Sequence, residues 1–439
     1  MRVEFFYDFS CPYAYLASTQ IERLAKAHGA ELVFKPMLLG GVFQAIGAPM
    51  VPSMPPAKAR HNALDMQRWA AHWGVPLTMP ESHPIRTVLA LRSALAAGAD
   101  VARATHALFR AYWVDAKDVS QPEVVRAALD AAGLDGAALV ARADAPELKA
   151  DLRARTDDAV ARGVFGAPAL VVSADGDAEH AQLFWGQDRL DFVERALDGW
   201  AAGAPTSLTP SNPGIRVLGS VVAREETPAS RNTHPTGAAR LDFFFDFSSP
   251  FAYLASTAVE GIARRTAARL VYRPFLLGAL FKKIGTPDVP LFSMPEAKRR
   301  YAMRDIARWA DVRAVPLVFP SRFPVNTVKP LRMVLAAPDL VRPQLVAEFF
   351  RAIWVEDRDV GLDAELAGIA ERAGADADAL LEAARGEAMR AALRVATDEA
   401  EAAGVCGAPC FAVDGMTFWG QDRLAFVEAA LNGWRPACG

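Results

Sequence analysis

Residues 5–18 read FFYDFSCPYAYLAS, and residues 243–256 read FFFDFSSPFAYLAS. A chain that repeats itself at this distance must build one structural unit twice, and that constrains the fold before composition does. The correspondence continues: Lys58 pairs with Lys298, Trp69 with Trp309, Trp113 with Trp354, Pro168 with Pro409, Trp185 with Trp419 and Trp200 with Trp434. Of nine tryptophans only Trp73 breaks the pattern, facing Arg313. Two long units describe a duplicated domain and not a solenoid of short repeats. The predicted domains are 1–200 and 240–439, joined by a linker at 201–239. That linker is rich in Pro, Gly, Ser and Thr, as an extended tether is. Its IRVLGSVV stretch offers an edge strand or a groove-packing segment as the alternative.

The net charge of −3 and intermixed signs give no basic stripe for nucleic acid. No apolar run approaches the length that spans a bilayer. The opening residues MRVEFFYDF run straight into a strand-like segment without a signal-peptide pattern. Four cysteines, at 11, 406, 410 and 438, imply no disulfide framework. The expectation is a cytoplasmic protein with reduced thiols and no membrane partner.

Each half reads alike. A strand (VEFFYDF; LDFFFDF) meets a turn, and Pro12 or Pro250 opens a helix at its first position. A second short strand follows, then long helical periodicity over 57–160 and 297–401. A strand, a hairpin and a helix close each half, ending in WGQDRL at 185–190 or 419–424. The fold class is α/β: a small mixed sheet carrying a helical insertion, present twice.

The chemistry gathers at the first helix. A side chain just before a helix-opening proline sits where backbone N–H groups converge and the dipole is positive. Such a place stabilises a thiolate, the protein's own or a ligand's. Cys11 and Ser249 occupy it. The helix terminus predicts a reactive Cys11 of lowered pKa, against a reading as an inert buried thiol. A dithiol cycle needs a second thiol three residues on, and Ala14 stands there. For Ser249 the choice is between a simple N-cap and a donor to a bound thiolate. The prolines of GAPA (166–169) and GAPC (407–410) are expected beside this terminus, where a cis peptide would leave the preceding backbone free for an extended peptide. The amides of the WGQDRL turn suit a carboxylate, its aspartate suits an ammonium, and Lys58 and Lys298 add cations. A thiol, a peptide backbone, an amino-acid head and a second carboxylate together describe glutathione.

Taken in order, DFSSPFAYLAS, PFLLGALFKKIG, AKRRYAMRDIARWA, RFPVNTVKPLR, GAPC and WGQDRL resemble the thioredoxin-like group of 2-hydroxychromene-2-carboxylate isomerases and kappa-class glutathione transferases. More distantly the halves are similar to periplasmic disulfide oxidoreductases. The resemblance implies a thioredoxin-like fold with an inserted helical domain, and glutathione as cofactor. It implies that Ser249 holds the glutathione thiolate and Lys298 its glycyl end. The Ala408–Pro409 backbone would take the cysteinyl unit, and Gln421 with Asp422 the γ-glutamyl head. In the first half the matching positions are Cys11, Lys58, Ala167, Pro168, Gln187 and Asp188. Where the family often has Asn after a glycine, this chain has Ala48 and Thr286, of which Thr286 alone can hydrogen-bond. Tyr301, Arg304, Asp305 and Asn326 fit the family pattern and are assigned to substrate, since an Arg fork suits a carboxylate. Their counterparts are His61, Leu64, Asp65 and Arg86.

The expected function is a glutathione-dependent isomerase or transferase acting on an aromatic or conjugated keto-acid electrophile, with turnover in the Ser249 half and no metal. The alternatives are thiol–disulfide exchange at Cys11 and a non-catalytic binding protein. Asp8 and Asp246 are expected to organise their turns, and Cys406 and Cys410 to be free thiols. The two halves are expected to pack as an intramolecular pseudo-dimer.

Overall fold

A computed structural model describes residues 1–49, 54–174, 179–201 and 239–436. The predicted linker, with IRVLGSVV, lies outside the described residues apart from its ends, and so does Cys438.

The first half begins with strand β1 (Arg2–Tyr7), helix α1 (Pro12–Ala27), strand β2 (Glu31–Pro36) and helices α2 (Leu39–Ala45) and α3 (Pro56–Trp73). Helices α4 (Val88–Ala96), α5 (Val101–Trp113), α6 (Pro122–Ala131), α7 (Gly136–Arg142) and α8 (Pro146–Ala161) form the insertion. Strands β3 (Ala169–Ser173) and β4 (Gln182–Trp185) and helix α9 (Leu190–Leu197) complete it. The sheet order is β2-β1-β3-β4, with β2 parallel to β1 and the other pairings antiparallel.

The second half repeats this with β5 (Arg240–Phe245), α10 (Pro250–Arg265), β6 (Arg269–Pro274) and α11 (Leu277–Ile284). A short helix α12 (Pro290–Ser293) precedes α13 (Glu296–Val312). The insertion comprises α14 (Val328–Ala336), α15 (Arg342–Trp354), α16 (Asp363–Arg372), α17 (Ala377–Arg385) and α18 (Glu387–Ala402). Then come β7 (Cys410–Val413), β8 (Met416–Trp419) and α19 (Leu424–Leu431), in a sheet ordered β6-β5-β7-β8.

The central strands are buried on both faces, which is why VEFFYDF and LDFFFDF read as continuous apolar runs. Phe5 and Tyr7 face the main core, whereas Phe6 packs with Met37, Val42, Ala159 and Val171 in a smaller core on the opposite face. The paired tryptophans Trp113 and Trp354 tie each insertion to its sheet. Their indoles donate to Phe9 O and Phe247 O, at 2.8 Å in both halves. Asp8 and Asp246 organise the turns as expected. Asp8 accepts from Ser10 N (2.9 Å), Leu39 N (2.8 Å) and Thr87 Oγ1 (2.6 Å). Asp246 accepts from Ser248 N, Leu277 N and Thr327 Oγ1 at matching distances of 2.9, 2.8 and 2.6 Å.

The halves pack against each other through one self-complementary interface. Arg68 on α3 donates to Thr417 O of β8 at 2.7 Å, and its counterpart Arg308 on α13 donates to Leu183 O of β4 at 2.8 Å. Trp69 meets Phe426 with ring centroids 4.9 Å apart, and Trp309 meets Phe192 at 4.7 Å. This reciprocity is what a two-fold homodimer interface requires, here between two halves of one chain.

Candidate functional site

Cys11 and Ser249 cap α1 and α10 with extended backbone, and a proline at the first helical position needs no N–H partner. Ser249 Oγ accepts from Ala252 N at 3.2 Å and donates to Ala408 O at 2.8 Å. The hydroxyl is thus both an N-cap and a bridge to the residue before Pro409. Cys11 Sγ takes the equivalent place, donating to Ala167 O at 3.1 Å. Both Ala167–Pro168 and Ala408–Pro409 are cis.

The expected lowering of the Cys11 pKa is not found. Burial pushes this thiol up to about 12, although the amides of Ala14 and Tyr13 favour the thiolate. Desolvation outweighs the helix terminus because the sulfur is sealed under the turn. Cys406 and Cys410 are also free and buried, and burial raises both.

The GAP and WGQDRL motifs depend on each other. A Cβ at Gly407 would stand 2.5 Å from Trp419 Nε1, so only glycine lets the indole lie there. Gly420, at φ +111, starts the turn that turns Gln421, Asp422 and Arg423 inward. Gly166 and Gly186 do the same for Trp185 and the Gln187–Arg189 turn.

These two turns meet at the interface. Arg189 binds Asp305 with Nε–Oδ1 at 2.9 Å and Nη2–Oδ2 at 3.0 Å, and reaches Asp422 at 2.9 Å. Arg423 binds Asp65 at 2.7 and 2.9 Å and reaches Asp188 at 2.9 Å. Four carboxylates therefore share two guanidiniums. Burial and the neighbouring Asp422 and Asp65 raise Asp188 despite Arg189 and Arg423. For Asp422, burial opposes ionisation, but Arg423 and Arg189 win and hold it low.

The structure corrects the sorting of site residues by half, because α3 and α13 cross over. Lys58 lies over the Trp419 ring of the second half at 5.2 Å, and Lys298 lies over Trp185 of the first at 5.1 Å. Burial lowers both lysines, and the positive charge of Lys58 lowers Lys298 further. Neither ammonium has a carboxylate partner among the described residues. Tyr301 and Asp305, assigned to substrate, are consumed at the interface. Tyr301 OH accepts from Trp185 N at 2.9 Å and its ring packs on Phe165, while Asp305 holds Arg189. His61, the counterpart of Tyr301, packs edge-on against Trp419. Arg304 and Asn326 are exposed, with Asn326 Oδ1 accepting from Val328 N at 3.2 Å, next to the Thr327 that holds Asp246. Leu64 is half-buried and Arg86 exposed.

Beyond Asn326 the second half presents an aromatic ladder. Phe292 on α12, 59% exposed, meets Phe323 at 6.0 Å. Phe323 meets Phe319 at 5.0 Å, and Phe319 meets Trp354 at 5.7 Å. At the places of Phe319 and Phe323 the first half has Met79 and His83, the latter bonded through Nδ1 to Tyr112 OH at 2.8 Å.

Several polar groups are buried without a hydrogen-bond partner among the described residues: Gln187 Nε2, Gln421 Nε2 and Thr286 Oγ1. Buried polar atoms are rarely left so unless something binds them. Together with two unpaired lysines and an anion-rich cluster, they suit a ligand bearing carboxylates and an ammonium group. Sequence reasoning missed Arg189 and Arg423, which stand inside the WGQDRL motif it singled out, and it missed Arg68 and Arg308 on the lid helices.

A family model for the DSBA-like thioredoxin domain matches residues 2–198 and again 240–432. The chain is similar to a 2-hydroxychromene-2-carboxylate isomerase of Sphingobium xenophagum, 37% identical over 194 residues, covering 44% of this chain and 97% of that protein. It is also similar to glutathione S-transferase kappa 2 of Caenorhabditis elegans, 30% identical, covering 45% and 93% of the two chains. Among solved structures, a 2-hydroxychromene-2-carboxylate isomerase aligns with a TM-score of 0.41 at 27% identity, over 44% of this chain and 94% of its own. One half of this chain thus spans nearly the whole of each relative. The chain belongs to the DSBA-like thioredoxin family and carries two copies of its domain in tandem.

Proposed function

We propose that this protein is a glutathione-dependent isomerase or transferase that acts on an aromatic or conjugated keto-acid electrophile at its Ser249 half. The observation that carries this reading is the placement of Ser249 Oγ at the N-terminus of α10, 3.2 Å from Ala252 N and 2.8 Å from Ala408 O. On binding, a hydroxyl there turns its single O–H from Ala408 O to the thiolate, and it does not compete as a nucleophile. The relatives named as isomerase and kappa transferase support it, and the ladder from exposed Phe292 through half-buried Phe323 and Phe319 supports an aromatic acceptor.

Glutathione, when bound, supplies a thiolate that adds to a conjugated acceptor and departs again. The protein's share is binding, orientation and charge. Ser249 and the first amides of α10 hold the sulfur. The Ala408–Pro409 backbone receives the cysteinyl unit, Asp422 the ammonium and Gln421 the carboxylate of the γ-glutamyl head. Lys58, carried across over Trp419, is the cation for the glycyl carboxylate of the Ser249 half, and Lys298, over Trp185, is its equivalent in the Cys11 half. We assign Asn326 and Arg304, both exposed, to orienting the acceptor. The Cys11 half, with Ala167, Pro168, Gln187 and Asp188, serves as a binding site without turnover: an S–H is a weaker donor than the Ser249 O–H, and burial keeps the thiol from acting as a nucleophile of its own. Buried free cysteines fit a reducing compartment such as the cytoplasm.

The test is turnover of 2-hydroxychromene-2-carboxylate with substoichiometric glutathione. Loss of one donor to developing charge costs about a hundred- to a thousandfold in rate, so Ser249→Ala should show that loss and Cys11→Ala little. Turnover that depends on Cys11 and survives Ser249→Ala, with both variants folded, would refute the reading.

A further inference from the structure

Arg313 is the one position where the tandem copies exchange a tryptophan for a charge, since Trp73 stands there in the first half. It is the C-cap of α13, and its guanidinium is committed to a single neighbourhood. Nη1 donates to Leu254 O at 2.6 Å, and Nη2 donates to Gln421 O at 3.0 Å and to Gln421 Oε1 at 2.6 Å. The same group lies 5.5 Å from the centre of the Trp309 ring. Gln421 is only 1% exposed, and its Nε2 has no partner among the described residues.

A side-chain amide has two orientations, and its neighbours decide between them. Arg313 has only donors, so it accepts one answer: Oε1 toward the guanidinium, NH₂ toward the other side. In the first half the Trp73 ring packs on Trp69 with centroids 4.9 Å apart, and among the described residues no guanidinium bonds the Gln187 side chain. Gln187 is 3% exposed with its Nε2 likewise unpartnered. The two copies therefore hold the same glutamine, one with its amide fixed and one without.

We infer that Arg313 is a positioning residue that fixes the Gln421 amide as a hydrogen-bond donor to the α-carboxylate of the γ-glutamyl end of glutathione, making the Ser249 half the tighter of the two sites. This rests on the proposed glutathione reading and adds a cause for asymmetry between the halves. The division of labour is specific: Gln421 Nε2 takes the carboxylate and Asp422 takes the ammonium; burial lowers Arg313 to about 10, with the charge of Asp422 opposing, so the guanidinium stays protonated near neutral pH. Trp73 supplies apolar packing at the matching site, and its indole N–H makes no bond to Gln187 among the described residues.

The test is calorimetric titration of the full-length chain with three peptides: glutathione, 4-aminobutyryl-cysteinyl-glycine (no α-carboxylate) and glutaryl-cysteinyl-glycine (no ammonium). In the native chain, losing the carboxylate should weaken the tighter site by roughly 10- to 100-fold, as for a hydrogen bond to a charged group. In Arg313→Trp that penalty should shrink to about threefold or less, while the penalty for losing the ammonium persists and the weaker site is unchanged. Arg313→Lys keeps one donor for Oε1 and should restore part of the discrimination, which guards against a folding defect in the tryptophan variant. An unchanged carboxylate penalty in both variants would overturn the role of Arg313 alone. No binding of glutathione to the native chain would overturn the underlying reading as well.

Discussion

Arg423, in the second half of the chain, grips Asp65 of the first with both arms, Nε to Oδ1 at 2.7 Å and Nη2 to Oδ2 at 2.9 Å. Arg189 repeats the grip on Asp305 in the opposite direction. The cluster holds more carboxylates than guanidiniums, so its two kinds of member are unequal. Removing a guanidinium leaves buried carboxylates facing each other, a loss of about 3–5 kcal/mol. Removing one carboxylate leaves Arg423 with Asp188 and Asp422. Arg423→Met should therefore lower the urea midpoint clearly more than Asp65→Asn. The reverse order would show that the cluster is not short of positive charge.

His61 packs on Trp419 at the same interface, and burial lowers its pKa from 6.5 to about 4, with Arg423 and Arg68 assisting and Asp65 opposing. Below pH 6.5 the unfolded chain binds a proton that the folded chain refuses until about pH 4, so this histidine's contribution is complete above 6.5 and lost as pH falls through that window. The full effect amounts to about 3 kcal/mol. In denaturant melts across this range, His61→Phe should lose less stability on acidification than the native chain. Parallel pH curves for the two proteins would show that His61 titrates freely.

The duplication, the order of elements and the turn-organising roles of Asp8 and Asp246 were legible because they are local: apolar runs, Pro12 and Pro250, and short motifs that close on themselves. The crossing of α3 and α13 was not legible. Lys58 and Tyr301 look, along the chain, like members of their own half, and only the packed interface carries Lys58 to Trp419 and Tyr301 to Trp185. The Cys11 thiol misled for a related reason. Its position before Pro12 predicts amides aimed at the sulfur, and Ala14 and Tyr13 supply them, but burial is set by the whole fold and it dominates.

Cys11 should accordingly be slow to alkylate. With its pKa pushed up to about 12, almost none of it is thiolate near neutral pH. In a variant keeping only Cys11, iodoacetamide labelling of the native protein should be far slower than after unfolding. Native labelling as fast as in the unfolded chain would mean an open thiol.

The central claim is that Ser249 stabilises the thiolate of bound glutathione, and ultraviolet thiolate absorbance reads it directly. Glutathione added near neutral pH, where its free thiol is mostly protonated, should develop thiolate absorbance on binding the native chain and the Cys11→Ala variant. Ser249→Ala should bind glutathione but show little of that signal. A thiolate signal that survives Ser249→Ala, or vanishes with Cys11→Ala, would contradict the account.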